Sequence, residues 1–211
     1  PVVIGVGANQ INSIVDKSLA SLLGTEVVAS FSYAIKLYEF VQALFITSIL
    51  AVIYPRLSSM IVSDRMDSFL NSLKKTMNVI IVALVPIIVG CIVLSRQIVE
   101  VLFQRNAFTS KDTTMTASIL WIYVIGILAF ALRDVLTRGF YSMEDSKTPM
   151  INSIISIVFN ISLNLILVKP LGYKGLAIAT AVSAYIGLLL FNRSMRKKIE
   201  GYSSRDNYIV F

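Results

Sequence analysis

Residues 76–94 read TMNVIIVALVPIIVGCIVL, nineteen residues in succession without a charged side chain. At about 1.5 Å of rise per residue, a helix of this length spans roughly 30 Å of hydrocarbon. Lys75 and Arg96 flank the run, where charged groups can reach water. The stretch therefore predicts a transmembrane helix, and Pro86 within it predicts a kink.

Further apolar stretches extend this prediction over the whole chain. Hydrophobic residues make up 56% of the 211 residues and charged residues 15%, with a mean hydropathy of +0.77. A water-soluble domain of this size cannot bury so much apolar surface. We therefore predict an all-α, polytopic transmembrane helical bundle of about six spans. The predicted spans are about 1–23, 31–54, 76–94, 113–137, 149–168 and 175–192.

The segments between the spans give secondary predictions. Amphipathic spacing at about 57–74 and 97–103 predicts interfacial helices, and Pro55 is expected to stop the second span. Lys and Arg are more frequent in the loops on the side of Arg56 and in the basic run that begins at Arg193, which predicts that this side is cytoplasmic. Residues 199–211 are then a cytoplasmic tail or linker. Because the chain opens inside an apolar stretch without a Met, we expect an internal fragment.

Composition excludes several classes of function. The chain has no histidine and one cysteine, Cys91, so His-based acid–base chemistry, Cys–His nucleophiles and Cys/His metal sites are absent from it. We expect no enzyme activity, no metal site and no cofactor. The net charge of +7 is spread over the ends of the apolar runs, which favours lipid head groups over nucleic acid as the partner.

Charged residues inside the predicted spans are the main functional signal, because each costs about 2.5 to 3.5 kcal/mol at a bilayer centre. They are Asp16, Lys17, Lys36, Glu39, Arg133 and Asp134. We expect them to face the bundle interior or a water-filled cavity. Lys36 and Glu39, three residues apart, can meet on one helix. The alternative is that such charges lock helices together or reach an interface, and for Lys36 we favour a function in transport.

Uncharged polar residues repeat the pattern. Asn12 and Asp16 share one face of the first helix with Asn9 and Ser13, and Asn160 and Asn164 share one face of the fifth with Ser153 and Ser156. Such stripes favour a wet lumen between helices. The alternative is interhelical hydrogen bonding, which is sufficient by itself to explain the asparagines.

Several stretches resemble the MurJ (MviN) family of lipid II flippases, of the multidrug/oligosaccharidyl-lipid/polysaccharide exporter superfamily. The similarity extends over nearly the whole chain. It is carried by NQIN at 9–12 with VDK at 15–17 and LAS at 19–21, YA at 33–34 with KL at 36–37, YPRLS at 54–58, LFQRN at 102–106 with FT at 108–109, and RGFYS at 138–142 with DSKTP at 145–149.

The resemblance implies that the chain is the second six-helix lobe of a two-lobe flippase and that a first lobe is missing. Such a protein moves lipid II, the undecaprenyl-pyrophosphate-linked peptidoglycan precursor, to the outer leaflet of the bacterial cytoplasmic (inner) membrane by alternating access. The process belongs to cell wall biogenesis. A coupling ion or the membrane potential could drive it, and the sequence leaves that choice open.

The resemblance also implies roles for individual residues. Lys36 and Lys17 would bind the pyrophosphate, although the family usually has arginine at position 36, which would give a bidentate contact. Five residues would line the cavity or balance its charge: Glu39, Asp16, Asn12, Asn160 and Asn164. Of these, Asp16 would neutralise a nearby cation. Gating would involve Arg133 and Asp134.

Other functions are compatible with the sequence. One is a flippase for another polyprenyl-linked oligosaccharide, and another is a multidrug exporter of the same superfamily, whose cavity should carry an acidic excess. A third is a non-transporting membrane scaffold, in which the charges should be fully paired and no solvent-accessible cleft should exist. A membrane enzyme would need catalytic residues outside this chain.

Overall fold

A computed structural model describes residues 2–199 and 202, with the backbone alone at residues 2–9 and 11. All the regular structure in these residues is helical. The helices are α1 (Val2–Leu22), α2 (Thr25–Val41), a π-helical turn (Gln42–Thr47), α3 (Ser48–Val62), α4 (Met66–Phe103), α5 (Ser110–Ser142), α6 (Lys147–Leu171) and α7 (Tyr173–Lys198). The all-α prediction is confirmed.

The number and lengths of the helices fit a membrane bundle. Five stretches within the described residues are long and apolar enough to cross a membrane: Thr25–Val62, Met66–Phe103, Ser110–Ser142, Lys147–Leu171 and Tyr173–Lys198. The 21 residues of α1 make a sixth helix, about 30 Å long. Each predicted span from the second to the sixth lies within one of these longer helical stretches, so the chain is a multi-pass membrane protein.

The predicted interfacial helix at 57–74 is wrong. Instead, α3 continues through Pro55 to Val62, and a turn with Asp64 at φ 54° leads into α4 at Met66. Phe69 and Leu73 are fully buried, as is Leu57 in the second half of α3. The apolar side chains at helical spacing therefore pack into the protein core rather than against lipid head groups. Amphipathic spacing alone cannot distinguish these two environments.

The second predicted interfacial helix, 97–103, is also wrong as a separate element. It forms the last turns of α4, a continuous helix of 38 residues that also contains Pro86. Val99 is fully buried, so this end of α4 is anchored in the bundle. The kink at Pro86 stays a prediction. The predicted tail, 199–211, lies outside the described residues except for Ile199 and Tyr202.

The bundle is built around α5, which packs against α2, α4 and α7, while α6 packs against α7 and α1. Small residues allow close approach at these contacts. A Cβ atom at Gly126 would lie 3.2 Å from the Ala181 backbone, and one at Gly187 would lie 2.8 Å from Ser156 Oγ. At one end of the bundle, Lys111 Nζ lies 2.8 Å from Glu26 Oε2, which ties α5 to α2. This packing fixes the faces that carry the polar side chains.

Candidate functional site

A polar cluster lies between α1, α6 and α7, and we define it as Asn12, Asp16, Asn160, Asn164, Thr180 and Ser183. Asn164 Nδ2 donates to Asp16 Oδ1 at 2.6 Å, and Asn12 Nδ2 donates to Asp16 Oδ2 at 3.3 Å. Asn160 and Asn164 are buried on α6, and Ser183 is buried on α7. The cluster joins the first helix of the chain to the last two.

The orientation of the Asn160 amide decides how the cluster is connected. With its nitrogen toward α1, Asn160 donates to Asn12 Oδ1 at 2.9 Å and to Asp16 Oδ1 at 3.3 Å, and its oxygen accepts from Ser183 Oγ at 3.0 Å. The opposite orientation would bring two acceptor oxygens within 2.9 Å of each other. The first orientation places the Asn160 nitrogen 3.0 Å from Asn164 Nδ2, but its two bonds to α1 favour it. Asn160 then bridges α1 and α7.

Asp16 has amide partners rather than a cationic partner within the described part of the chain. The charge balance expected from a nearby cation is thus not seen in this conformation. One further acceptor in the cluster, Asn164 Oδ1, is buried and has no hydrogen-bond partner among the described residues.

A cavity of about 170 Å³ opens beside the cluster and is lined by residues of α1, α2, α5 and α7. Asn12, Asp16 and Lys17 form one wall. Tyr38 and Tyr123 also line the cavity. The structure therefore brings together three of the residues predicted from sequence. The cavity is roomy enough for water and has polar partners to hold it.

Lys36 lies apart from this cavity, although its neighbours Ile35 and Tyr38 line it. The Lys36 side chain is exposed, and its Nζ lies 5.5 Å from the centroid of the Tyr33 ring. Glu39 is also exposed, and the predicted contact between Lys36 and Glu39 is not among the ion pairs of the described residues. Lys36 is thus an accessible cation rather than one sealed in a dry pair.

Arg133 and Asp134 occupy a separate position on α5. Their side chains lie 3.7 Å apart, and the Arg133 guanidinium lies 4.9 Å from the centroid of the Phe130 ring. Asp134 also interacts with the side chain of Gln42, the first residue of the π-helical turn. This pair therefore links α5 to the π-helical turn. Along α5, the pair lies about 15 Å from Tyr123 and hence from the cavity.

The polar side chains along α6 support both interpretations given above, a wet lumen and interhelical hydrogen bonding. At one end, Asn152 Nδ2 donates to Ser194 Oγ at 2.9 Å, a contact that joins helices. At the other end, Asn160 and Asn164 belong to the polar cluster beside the cavity. The Asn9 side chain lies outside the described residues. Thr180 and Tyr123 were not predicted from the sequence. The hydroxyl group that each carries within an apolar helix is the feature that could have indicated them.

Comparison with known proteins places these features in a family. The family model described as lipid II flippase MurJ matches residues 1–210. The probable lipid II flippase MurJ of Vibrio cholerae is 36% identical over 195 residues, 92% of this chain and 37% of that protein. The corresponding protein of Haemophilus influenzae is 33% identical, over 100% of this chain and 42% of that protein. The chain spans about two fifths of the length of these relatives.

Solved structures agree with this assignment. A lipid II flippase MurJ in an inward closed conformation matches with a TM-score of 0.82 and 30% identity over 91% of this chain and 41% of that chain. An outward-facing multidrug resistance MATE family transporter of the MOP superfamily also matches with a TM-score of 0.82, over 98% of this chain and 46% of that chain, but at 15% identity it shows the fold alone. The chain belongs to the MurJ family of lipid II flippases.

Proposed function

We propose that this chain is one lobe of a flippase that carries lipid II across the bacterial cytoplasmic membrane, with Lys36 and Lys17 meeting the pyrophosphate. Membership of the MurJ family supports the cargo, since the relatives are named for lipid II flipping. The remainder of the transporter would supply the opposing lobe, because the chain spans about two fifths of its relatives.

The observation that carries the proposal is the accessible ammonium of Lys36, which pairs with no carboxylate among the described residues. It lies eleven residues into the stretch that begins at Thr25, about 16 Å along the helix. A cation kept at this depth is costly unless water or an anionic ligand meets it. A pyrophosphate cannot cross hydrocarbon unaided, so a flippase must offer it cationic donors in a hydrated space.

Lys17 and the polar cluster would add further polar groups along the route of the pyrophosphate, which we call the polar path. Lys17 is exposed and lines the 170 Å³ cavity with Asp16 and Asn12. Asn160 and Asn164 hold the Asp16 carboxylate toward α6, which keeps that wall polar. Glu39, exposed on the same helix as Lys36, would balance charge when the cargo is absent. Arg133 and Asp134 would act in gating through the Gln42 contact at the π-helical turn.

A test in cells would use the full-length protein in a strain depleted of its own lipid II flippase. We expect Lys36→Ala to reduce lipid II translocation by about tenfold or more, since a hydrogen bond to a charged group contributes about 1.5 to 3 kcal/mol. Lys36→Arg should retain activity. Lys174→Ala removes an exposed lysine at the start of α7 and is the matched control. Equal translocation by Lys36→Ala and Lys174→Ala would remove Lys36 from the mechanism.

A further inference from the structure

A second, larger opening lies between α3 and α4. This groove has a volume of about 480 Å³, and among the described residues those that line it belong to these two helices. It shares no lining residue with the cavity beside the polar cluster. The α3–α4 groove is therefore separate from the polar path described above.

The groove has an apolar part and a cationic mouth. Ile49, Val52 and Ile53 of α3 and Val79 of α4 supply apolar walls, and the Val52 side chain is 76% exposed. The cations Arg56 and Lys75 lie one turn away, about 6 Å along each helix from Val52 and Val79. Since α3 and α4 follow one another through a short turn and run in opposite directions, both cations lie at the same end of the groove.

Both cations are available to a ligand. Arg56 and Lys75 are exposed, and neither forms an ion pair with any carboxylate in the part of the chain that the structure describes. Ser72 and Thr76 add hydroxyl groups at the level of the cations. The groove thus has a polar end, with two positive charges and hydroxyl groups, and an apolar slot toward the membrane interior.

We propose that the α3–α4 groove binds an anionic diacyl glycerophospholipid, with its phosphate between Arg56 and Lys75 and the upper part of an acyl chain against Val52 and Val79. The volume is within the range of ligand sites. Basic pockets between transmembrane helices on the cytoplasmic side suit anionic head groups. The Lys and Arg bias of the loops places this end of α3 and α4 on that side.

The test measures lipid retention by the purified full-length protein in mixed micelles of phosphatidylglycerol and phosphatidylcholine, without turnover. Each cation near an anionic head group contributes about fivefold to binding. We expect the wild type to retain phosphatidylglycerol in preference to phosphatidylcholine, and Arg56→Gln/Lys75→Gln to lose at least about fivefold of this retention. Arg65→Gln/Lys147→Gln removes two exposed cations outside the groove and should retain the lipid.

A second variant separates the groove from general surface charge. Val52→Trp keeps both cations and fills the apolar slot, and the exposure of Val52 leaves folding intact. We expect it to lose retention as well. Unchanged retention in either groove variant would overturn the proposal, as would equal retention of phosphatidylcholine. Displacement of the bound lipid by one equivalent of lipid II would also overturn it, because the groove would then belong to the cargo. None of these outcomes depends on the flipping activity.

Discussion

Asn164 Nδ2 lies 2.6 Å from Asp16 Oδ1, and 148 residues of chain separate the two. This contact connects α6 to α1 and holds a carboxylate that lines the cavity beside the polar cluster. It couples the packing of the bundle to the polar character of that cavity. Changes to either residue should therefore affect stability and the site together.

Removing the amide tests this coupling. We expect Asn164→Ala to lower the free energy of unfolding by about 1 to 2 kcal/mol, because an interhelical hydrogen bond is lost and Asp16 keeps a weaker set of donors. Ser162→Ala is the control, since Ser162 is exposed on the same helix and donates to the carbonyl of Val158. Thermal unfolding of the full-length protein in detergent measures the effect. Equal unfolding temperatures for the two variants would contradict the assigned role.

The first turn of α7 gives a steric prediction. A Cβ at Gly175 would lie 2.3 Å from the backbone oxygen of Leu167, whereas one at Gly90 would meet no described atom within 4 Å. Gly175→Ala should therefore destabilise the protein by about 1 to 3 kcal/mol, as overpacking does. Gly90→Ala, also in a helix, should be neutral or stabilising by up to about 1 kcal/mol. Chemical or thermal unfolding in detergent compares the two, and a more stable Gly175→Ala would contradict the close packing.

Asp145 in the α5–α6 loop predicts a pH dependence. Burial raises the pKa of this carboxyl, but hydrogen bonds from Lys198 and from the backbone and side chain of Thr148 together outweigh burial and lower it to about 2 from 3.8. A lowered pKa stabilises the folded state fully above pH 3.8, and the stabilisation is lost as pH falls through about 2. At neutral pH the contribution is on the order of 1 kcal/mol, because solvent screens a pair whose lysine is partly exposed.

The corresponding measurement compares Asp145→Asn with the wild type from pH 7 down to pH 2. The difference in unfolding free energy should be constant near neutrality and should shrink below about pH 4. Lys198→Ala should lose part of the same stabilisation, while Lys197→Ala, its exposed neighbour, should not. A difference that grows as the pH falls would contradict the assignment.

The membrane spans could be predicted from sequence because an uncharged apolar run of about twenty residues is rare outside a membrane-spanning helix. The helix ends were harder to predict. Phe69 and Leu73 recur at helical spacing, but the same spacing serves a membrane interface and a protein core, so the interfacial helix at 57–74 was wrong. The π-helical turn at Gln42–Thr47 was not predicted, because its residues, QALFIT, are equally compatible with an α-helix.

The candidate site was predictable in part for a related reason. Asp16, Asn12 and Lys17 are conspicuous because polar groups at membrane depth are costly. Thr180 and Tyr123 are small or amphipathic residues in apolar helices, and only the tertiary fold brings them to the cavity. The fold also leaves Lys36 without the contact to Glu39 that helical spacing allows.

In the proposed mechanism, the positive charge at position 36 serves transport. Lys36→Cys in a Cys91→Ala background removes the ammonium and leaves a single thiol within the chain, which an aminoethyl methanethiosulfonate or a sulfonatoethyl analogue can modify as a mixed disulfide. We predict that lipid II flipping by the full-length protein is lost in Lys36→Cys, returns when the aminoethyl reagent restores the cation, and does not return with the sulfonate. Equal recovery with both reagents, or no loss in Lys36→Cys, would contradict the account.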